Sequence, residues 1–131
     1  CSSLIPYRMT RSRPDVRAQV GELANEVGLA NDLRRQAGVL APGARARIRL
    51  GRAIALAPKV FVAEHPNATL SPEDAATLAA DIHRIVDRRG IASIVLTADH
   101  AFARAVAKEV LVLEPATGIL KPASAWRRWF S

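Results

Sequence analysis

A carboxylate and an imidazole stand side by side at Glu64 and His65, and they are the most chemically capable pair in the chain. The apolar run Val60 to Ala63 directly precedes them, and its length and composition predict a strand buried on both faces. Pro66 follows and prevents the chain from continuing as a central strand. Because ligands of parallel α/β sheets bind just beyond the carboxyl ends of the strands, we expect Glu64 and His65 at a ligand-binding edge.

The elements around this pair can be predicted from capping signals and apolar spacing. Ser71 is expected to cap a helix that Gly90 closes, with Pro72 in its first turn. Further helices are expected from about residue 14 to 27, over 31–37, from about 43 to 56, and from residue 97 or 99 onward. Strands are expected over 60–63, 91–97 and 110–113, and a turn at 115–118 permits a hairpin with residues 119–120.

This order of elements predicts an α/β fold. Apolar strands separated by helices imply a partial parallel sheet with crossover helices, like that of P-loop NTPases, preceded by a small helical subdomain. We divide the chain into a helical region over 1–57, of which 1–13 is irregular, an α/β core over 58–120, and a tail over 121–131. A thin parallel sheet of this kind usually needs a partner or more of itself.

Composition restricts the classes of function. The chain has 131 residues and a net charge of +7, with 19 Lys and Arg against 12 Asp and Glu. The basic residues are scattered over several predicted helices and are not interleaved with aromatics, so we expect no nucleic-acid partner. Arg45, Arg49 and Arg52 share one helix face, which is interpreted as solvated. A single cysteine, Cys1, excludes an internal disulfide framework and suits a cytoplasmic protein.

Two blocks of the sequence resemble the C-terminal portion of the ATPase domain of ATP-binding cassette (ABC) transporters. LAPGARARIRLGRAIALAPKVFVAEHPNATLSP (40–72) is similar to the block that runs from the family's signature helix through the Walker B strand to the D-loop. IVLTADHAFARAVAKEVLVLEP (94–115) is similar to its switch strand and the elements that follow. The spacing between these motifs matches that of the family over nearly the whole chain, but the residues at the family's reactive positions differ.

The resemblance implies a signature-like segment formed by Leu40, Ala41, Pro42, Gly43 and Ala44. Leu40 and Gly43 match the family. Ala41 replaces a serine and offers no hydroxyl, Pro42 replaces a glycine and lacks an N–H donor, and Ala44 replaces a glutamine. In the family this helix N-terminus meets the γ-phosphate of ATP that the opposite subunit holds. Two specific donors are therefore missing from this segment.

At the Walker B-like strand, the resemblance places Glu64 at the position that supports Mg²⁺ and His65 at the catalytic position. In the alternative register, Glu64 is the catalytic acid and Ala63 takes the metal position. Ala98 stands at the position of the switch histidine, and His100 is interpreted as a surface residue rather than a substitute. The paired carboxylates of the family are absent in either register.

The resemblance also implies a D-loop-like segment at Ala68, Thr69, Leu70 and Ser71, although Ser71 is equally well explained as a helix cap. The 131 residues contain no Gly-x-x-x-x-Gly-Lys-Ser/Thr, so the chain alone is expected to bind no cofactor. ATP and Mg²⁺ would be bound only if a Walker A portion or a partner subunit completed the site. Cys1 falls about where the family's Q-loop ends, which favours a cropped domain.

We therefore expect a degenerate segment of an ABC-type nucleotide-binding domain that does not hydrolyse ATP on its own. Its expected partners are another nucleotide-binding domain and a membrane permease, with a homo-oligomer possible, at the inner face of the membrane. The alternative is a protein-interaction module, not involved in transport, on the same scaffold. A lipid-anchored domain, based on Cys1 and the aromatic tail 126–130, and a metalloenzyme, based on scattered histidines, are weaker alternatives.

Overall fold

A computed structural model describes the backbone of residues 13–126 and the side chains of residues 15–124. The helices are α1 (Arg13–Glu26), α2 (Pro42–Ala55), α3 (Pro72–Arg89), α4 (His100–Val106) and α5 (Ala123–Trp126). The strands are β1 (Val60–Glu64), β2 (Ala92–Leu96), β3 (Leu111–Glu114) and β4 (Ile119–Pro122). Two 3₁₀ turns, Ala30–Asp32 and Ala37–Val39, replace the short helix predicted over 31–37. The predicted aromatic tail lies largely outside the described residues.

The crossover unit β1–α3–β2 is the centre of the fold. β1 and β2 pair in parallel, with Val60 opposite Ala92 and Glu64 opposite Leu96. The hydroxyl of Ser71 accepts from the Asp74 amide at the start of α3, and Gly90 ends the helix in the left-handed region at φ 63°. The predicted α/β class with a small parallel sheet is therefore confirmed, as are both ends of its crossover helix.

Two expectations about the strands are wrong. β1 is not buried on both faces: Phe61 is buried, whereas Val60 and Val62 are 54% and 62% exposed. The reason is that the described parallel sheet has two strands, and the face that carries Val60 and Val62 is left uncovered by the described residues. β3 is not a third parallel strand, because it pairs antiparallel with β4.

The β3–β4 hairpin is built by local chemistry. Gly118 takes a positive φ of 69° in the turn, which glycine adopts without strain. The carboxylate of Glu114 accepts hydrogen bonds from the hydroxyl of Thr117 and from the ammonium of Lys121. Both bonds lower the pKa of Glu114, and the bond from Thr117 has the larger effect. The hairpin suggested by the 115–118 turn is thus confirmed, and it takes β3 away from the parallel pair.

The core lies between the helical region and the inner face of β1. The largest of its fully buried side chains are Ile54, Ile82, Ile85 and Val27, each no more than 2% exposed. Leu78, Ile82, Ile85 and Val86 form a buried apolar stripe on α3, and Phe102 and Val106 of α4 are buried as well. On α1 only the C-terminal half faces the core, where Ala24 is buried, whereas Val16 and Val20 are 46% and 47% exposed. No helix among the described residues has the length and hydropathy of a membrane span.

Ion pairs connect α3 to the helical region. Asp81 accepts from Arg47 at 3.1 Å and from Arg84 at 2.9 Å, so this carboxylate joins α2 to α3. Arg89 forms two hydrogen bonds with the carboxylate of Glu26, at the end of α1. These contacts span 34 and 63 residues of sequence and fix how the helical region sits on the α/β core.

Candidate functional site

The predicted reactive pair lies at the carboxyl end of the parallel strands. Glu64 is the last residue of β1 and pairs in register with Leu96, the last residue of β2. The backbone N–H of His65 donates to the carbonyl of Leu96 at 2.8 Å, so the two strand ends stay joined for one residue more. Both side chains are exposed to solvent. The expected position at this edge of the sheet is what the structure gives.

His65 turns the chain sharply. Its φ is 43°, a left-handed conformation that histidine adopts at low frequency, and its carbonyl accepts from the Ala68 amide at 3.1 Å. Pro66 then carries the chain away from the sheet. The imidazole is therefore carried on a tight turn rather than on the strand itself.

A polar network that the sequence did not reveal joins the two loops beyond the strands. The amide of Asn67 donates to one carboxylate oxygen of Asp99 at 2.9 Å, and its carbonyl accepts from the hydroxyl of Thr97 at 3.2 Å. The other oxygen of Asp99 accepts from the Phe102 amide at 3.0 Å and caps α4. A single asparagine after Pro66 is typical of an ordinary turn, so the sequence gives no signal for these contacts. The residue that precedes the D-loop-like segment is thus bonded directly to the two residues that flank Ala98.

The remaining candidates of the switch region contribute little to this network. Ala98 is exposed and offers no polar side chain, and His100 is the exposed first residue of α4. His83 lies elsewhere, with Nδ1 3.3 Å from the carbonyl of Val106 between α3 and α4. The described residues contain no cluster of three or more His, Cys, Asp or Glu side chains that could hold a metal ion. They therefore do not form a metal cage, and Glu64 as a magnesium ligand remains a prediction.

The signature-like segment occupies the start of α2. Leu40 is buried in the core at 6% exposure. Ala41 takes the capping position without a side-chain hydrogen bond, and Pro42 is the first helical residue. Ala44 packs, partly buried, against the core. This end of α2 therefore lacks both the hydroxyl cap and one N–H group that the resemblance would place there.

Gly43 lies against the side chain of Asp74. A Cβ built at this position would lie 2.6 Å from Oδ1 and 2.8 Å from Cγ of Asp74, in the first turn of α3. With a side chain at residue 43, the carboxylate of Asp74 would have to move away from its present position. The glycine of the signature-like segment thus has a structural reason to be there that does not involve a nucleotide.

We expect Gly43→Ala to lower the free energy of unfolding by about 1–2 kcal/mol, because the added methyl group overlaps the Asp74 carboxylate. Urea unfolding followed by circular dichroism measures the change. In an Asp74→Ala background the overlap is relieved, and the same substitution should then be neutral or slightly stabilising, since alanine favours a helix. An equal loss in both backgrounds would contradict this explanation.

Comparisons with known proteins give a consistent set of relatives, although no protein-family profile matches the chain. It is 28% identical over 102 residues to the lipoprotein-releasing system ATP-binding protein LolD of Geobacter metallireducens, covering 78% of this chain and 45% of that protein. It is 31% identical to the sn-glycerol-3-phosphate import ATP-binding protein UgpC 1 of Rhizobium johnstonii, covering 78% and 28%. It is 32% identical to the methionine import ATP-binding protein MetN 1 of Rhodococcus jostii, covering 78% and 30%.

A solved structure shares the fold. The chain superposes on an ABC transporter in an inward-facing conformation with a TM-score of 0.76, 15% sequence identity, and coverage of 89% of this chain and 47% of that one. At this identity the match speaks for the fold alone. In every one of these comparisons the chain spans less than half the length of the relative.

Proposed function

We propose, on the premise that this chain corresponds to the C-terminal portion of an ABC transporter ATPase domain, that it serves within an ATP-binding subunit and does not hydrolyse ATP by itself. The observation that carries the proposal is the placement of Glu64 and His65. Glu64 ends the parallel strand β1 and His65 directly follows it, at the position where the family has its catalytic groups, yet only one of the two is a carboxylate. The scaffold is therefore kept while the reactive groups differ.

Catalysis of phosphoryl transfer depends on positioning and on electrostatic stabilisation. His65 can accept a proton when neutral, but a protonated imidazole would repel Mg²⁺. Ala98 supplies no imidazole at the switch position. The chain's own residues therefore provide one carboxylate and two hydrogen-bonded loops at this edge of the sheet. This supports a role in assembly of the ATP-binding subunit rather than in ATP hydrolysis.

The signature-like segment supports the same proposal. Ala41 and Pro42 remove a hydroxyl and an N–H donor from the end of α2, and Asp74 places a carboxylate against Gly43. An approaching phosphate would meet fewer donors and an additional negative charge at this end. ATP and Mg²⁺ would be bound only with a Walker A portion supplied by another segment or by a partner subunit.

The proposed partners are another nucleotide-binding domain and a membrane permease, which places the chain at the inner face of the membrane. The same scaffold, with its uncovered apolar strand face at Val60 and Val62, would also suit an interaction module that is not involved in transport. The two functions differ in the partner that is bound: a permease for the first, and a soluble protein for the second.

The test is a phosphate-release assay of the purified chain with Mg–ATP. We expect no release above the buffer blank, and we expect Glu64→Gln to be indistinguishable from the parent chain. Magnesium-dependent release that Glu64→Gln abolishes would overturn the proposal. A tagged chain expressed in its native host should then co-purify with a permease subunit from the membrane fraction. Recovery with a soluble partner alone would favour the interaction module.

A further inference from the structure

An apolar groove lies between α1, the segment 29–40 and α2, away from the strand ends. It encloses about 310 Å³. Its walls are mainly aliphatic, including Leu23, Val27, Leu29, Leu40 and Ile48. Pockets for small ligands have volumes from about 300 Å³ upward and are mostly apolar with a few polar groups. The groove meets this description at the small end of the range.

Three polar side chains line the groove, and their charges are not balanced. Asp32 and Arg35 form an ion pair with each other at 3.0 Å. The guanidinium of Arg52, from the last turn of α2, makes no hydrogen bond or ion pair with any residue between 15 and 124. The wall of the groove therefore carries one guanidinium whose charge the described part of the chain does not neutralise.

The charge of the surrounding region favours an anion. Residues 13–57 contain eight arginines against four acidic residues. A guanidinium binds a carboxylate through two parallel hydrogen bonds, and such charge-assisted bonds are stronger next to apolar walls than in water. The groove is too small for an anionic helical peptide, because a helix with its side chains is about 10–12 Å across. Its size therefore favours a small anionic ligand.

We propose that this groove binds a small amphiphile that carries one carboxylate, such as a medium-chain aliphatic acid. The hydrocarbon body packs between Val20 and Leu23 of α1 and Ile48 of α2, and the carboxylate accepts from the guanidinium of Arg52. This site does not depend on the nucleotide function proposed above, because none of its residues belongs to the strand ends or to the signature-like segment except Leu40.

The experiment is displacement of a fluorescent polyene fatty acid from the full chain by decanoate, with decanol as the neutral comparison. Arg52→Leu removes the guanidinium and its charge but keeps an aliphatic side chain, and Arg49→Leu is the matched control because Arg49 is exposed on the same helix and does not line the groove. Ala55→Trp introduces a bulky group at an exposed position on the groove wall. Circular dichroism verifies that each variant is folded.

We expect saturable displacement by decanoate, a loss of affinity of about tenfold in Arg52→Leu, no change in Arg49→Leu, and loss of binding in Ala55→Trp. In the parent chain, decanol should bind more weakly than decanoate. In Arg52→Leu, the two compounds should bind with equal affinity. The absence of saturable binding, equal affinity for decanol and decanoate in the parent chain, or equal effects of the two arginine substitutions would each overturn the proposal.

Discussion

Replacing Ile85 with alanine is expected to lower the free energy of unfolding by about 3–4 kcal/mol. Ile85 is fully buried on the inward face of α3, in the cluster that also contains Ile54 and Ile82. The substitution removes three buried carbon atoms and leaves a cavity among side chains that belong to α2, α3 and β1. Because neighbouring aliphatic groups relax only partly into such a cavity, the cost exceeds the transfer free energy of the lost atoms.

Urea unfolding at neutral pH measures the effect, and Val62→Ala is the control. Val62 is also an aliphatic residue, but it is 62% exposed on the uncovered face of β1, so its truncation should cost no more than about 0.5–1 kcal/mol. Equally large losses in the two variants would mean that this face of β1 is covered in solution, and equally small losses would mean that Ile85 does not lie at the centre of the core.

Local signals predicted α3 almost residue by residue. Ser71, Pro72 and Gly90 each act within one turn of the helix end, so their effect does not depend on the rest of the fold. The same holds for the hairpin turn at Gly118. The parallel pairing of β1 with β2 could also be predicted, because a crossover helix of this length leaves few other arrangements.

Burial of the strands could not be predicted from their composition. The run at Val60 to Ala63 is apolar enough for a strand covered on both sides, yet composition does not state how many strands pair or which elements cover them. β3 shows the same limit, since its apolar run suits a parallel strand as well as a hairpin. The turn that follows it decided the pairing.

Only the part of the candidate site that depends on local sequence signals could be predicted. The position of Glu64 and His65 follows from the end of one strand, which is a local feature. Asn67 joins Asp99 across 32 residues, and Gly43 meets Asp74 across two helices, so neither contact has a sequence pattern of its own. Residues that act through long-range contacts had to be found in the structure.

The second large effect is expected for Arg89→Ala, which should lower the free energy of unfolding by about 2 kcal/mol at pH 7. Nε of Arg89 donates to Oε1 of Glu26 at 2.9 Å, a second nitrogen donates to the other oxygen, and a third donor reaches the carbonyl of Ile54 at 3.2 Å. The guanidinium thus ties α3 to the ends of α1 and α2. Its removal leaves the Glu26 carboxylate, whose side chain is only 18% exposed, without this partner.

The pH dependence gives this prediction a second, independent measurement. The hydrogen bond from Arg89 lowers the pKa of Glu26 below its usual value of 4.5, against the opposing effect of burial. A carboxylate with a lowered pKa in the folded state adds stability above its unfolded pKa, and that stability is lost as the pH falls through the folded value. The parent chain should therefore lose this stabilisation below about pH 4.5, whereas Arg89→Ala should lose less over the same range because it lacks the pair.

Asp87→Asn is the matched control for Arg89→Ala, since it removes an ion pair from the same helix. Asp87 bonds Lys108 at the surface, where both side chains are more than half exposed, and the pKa of Asp87 is lowered chiefly by that hydrogen bond. Water solvates both charges once the pair is broken, so little stability should be lost at pH 7. If Asp87→Asn destabilised the chain as much as Arg89→Ala does, the joint between α1 and α3 would not be what holds the helical region on the core.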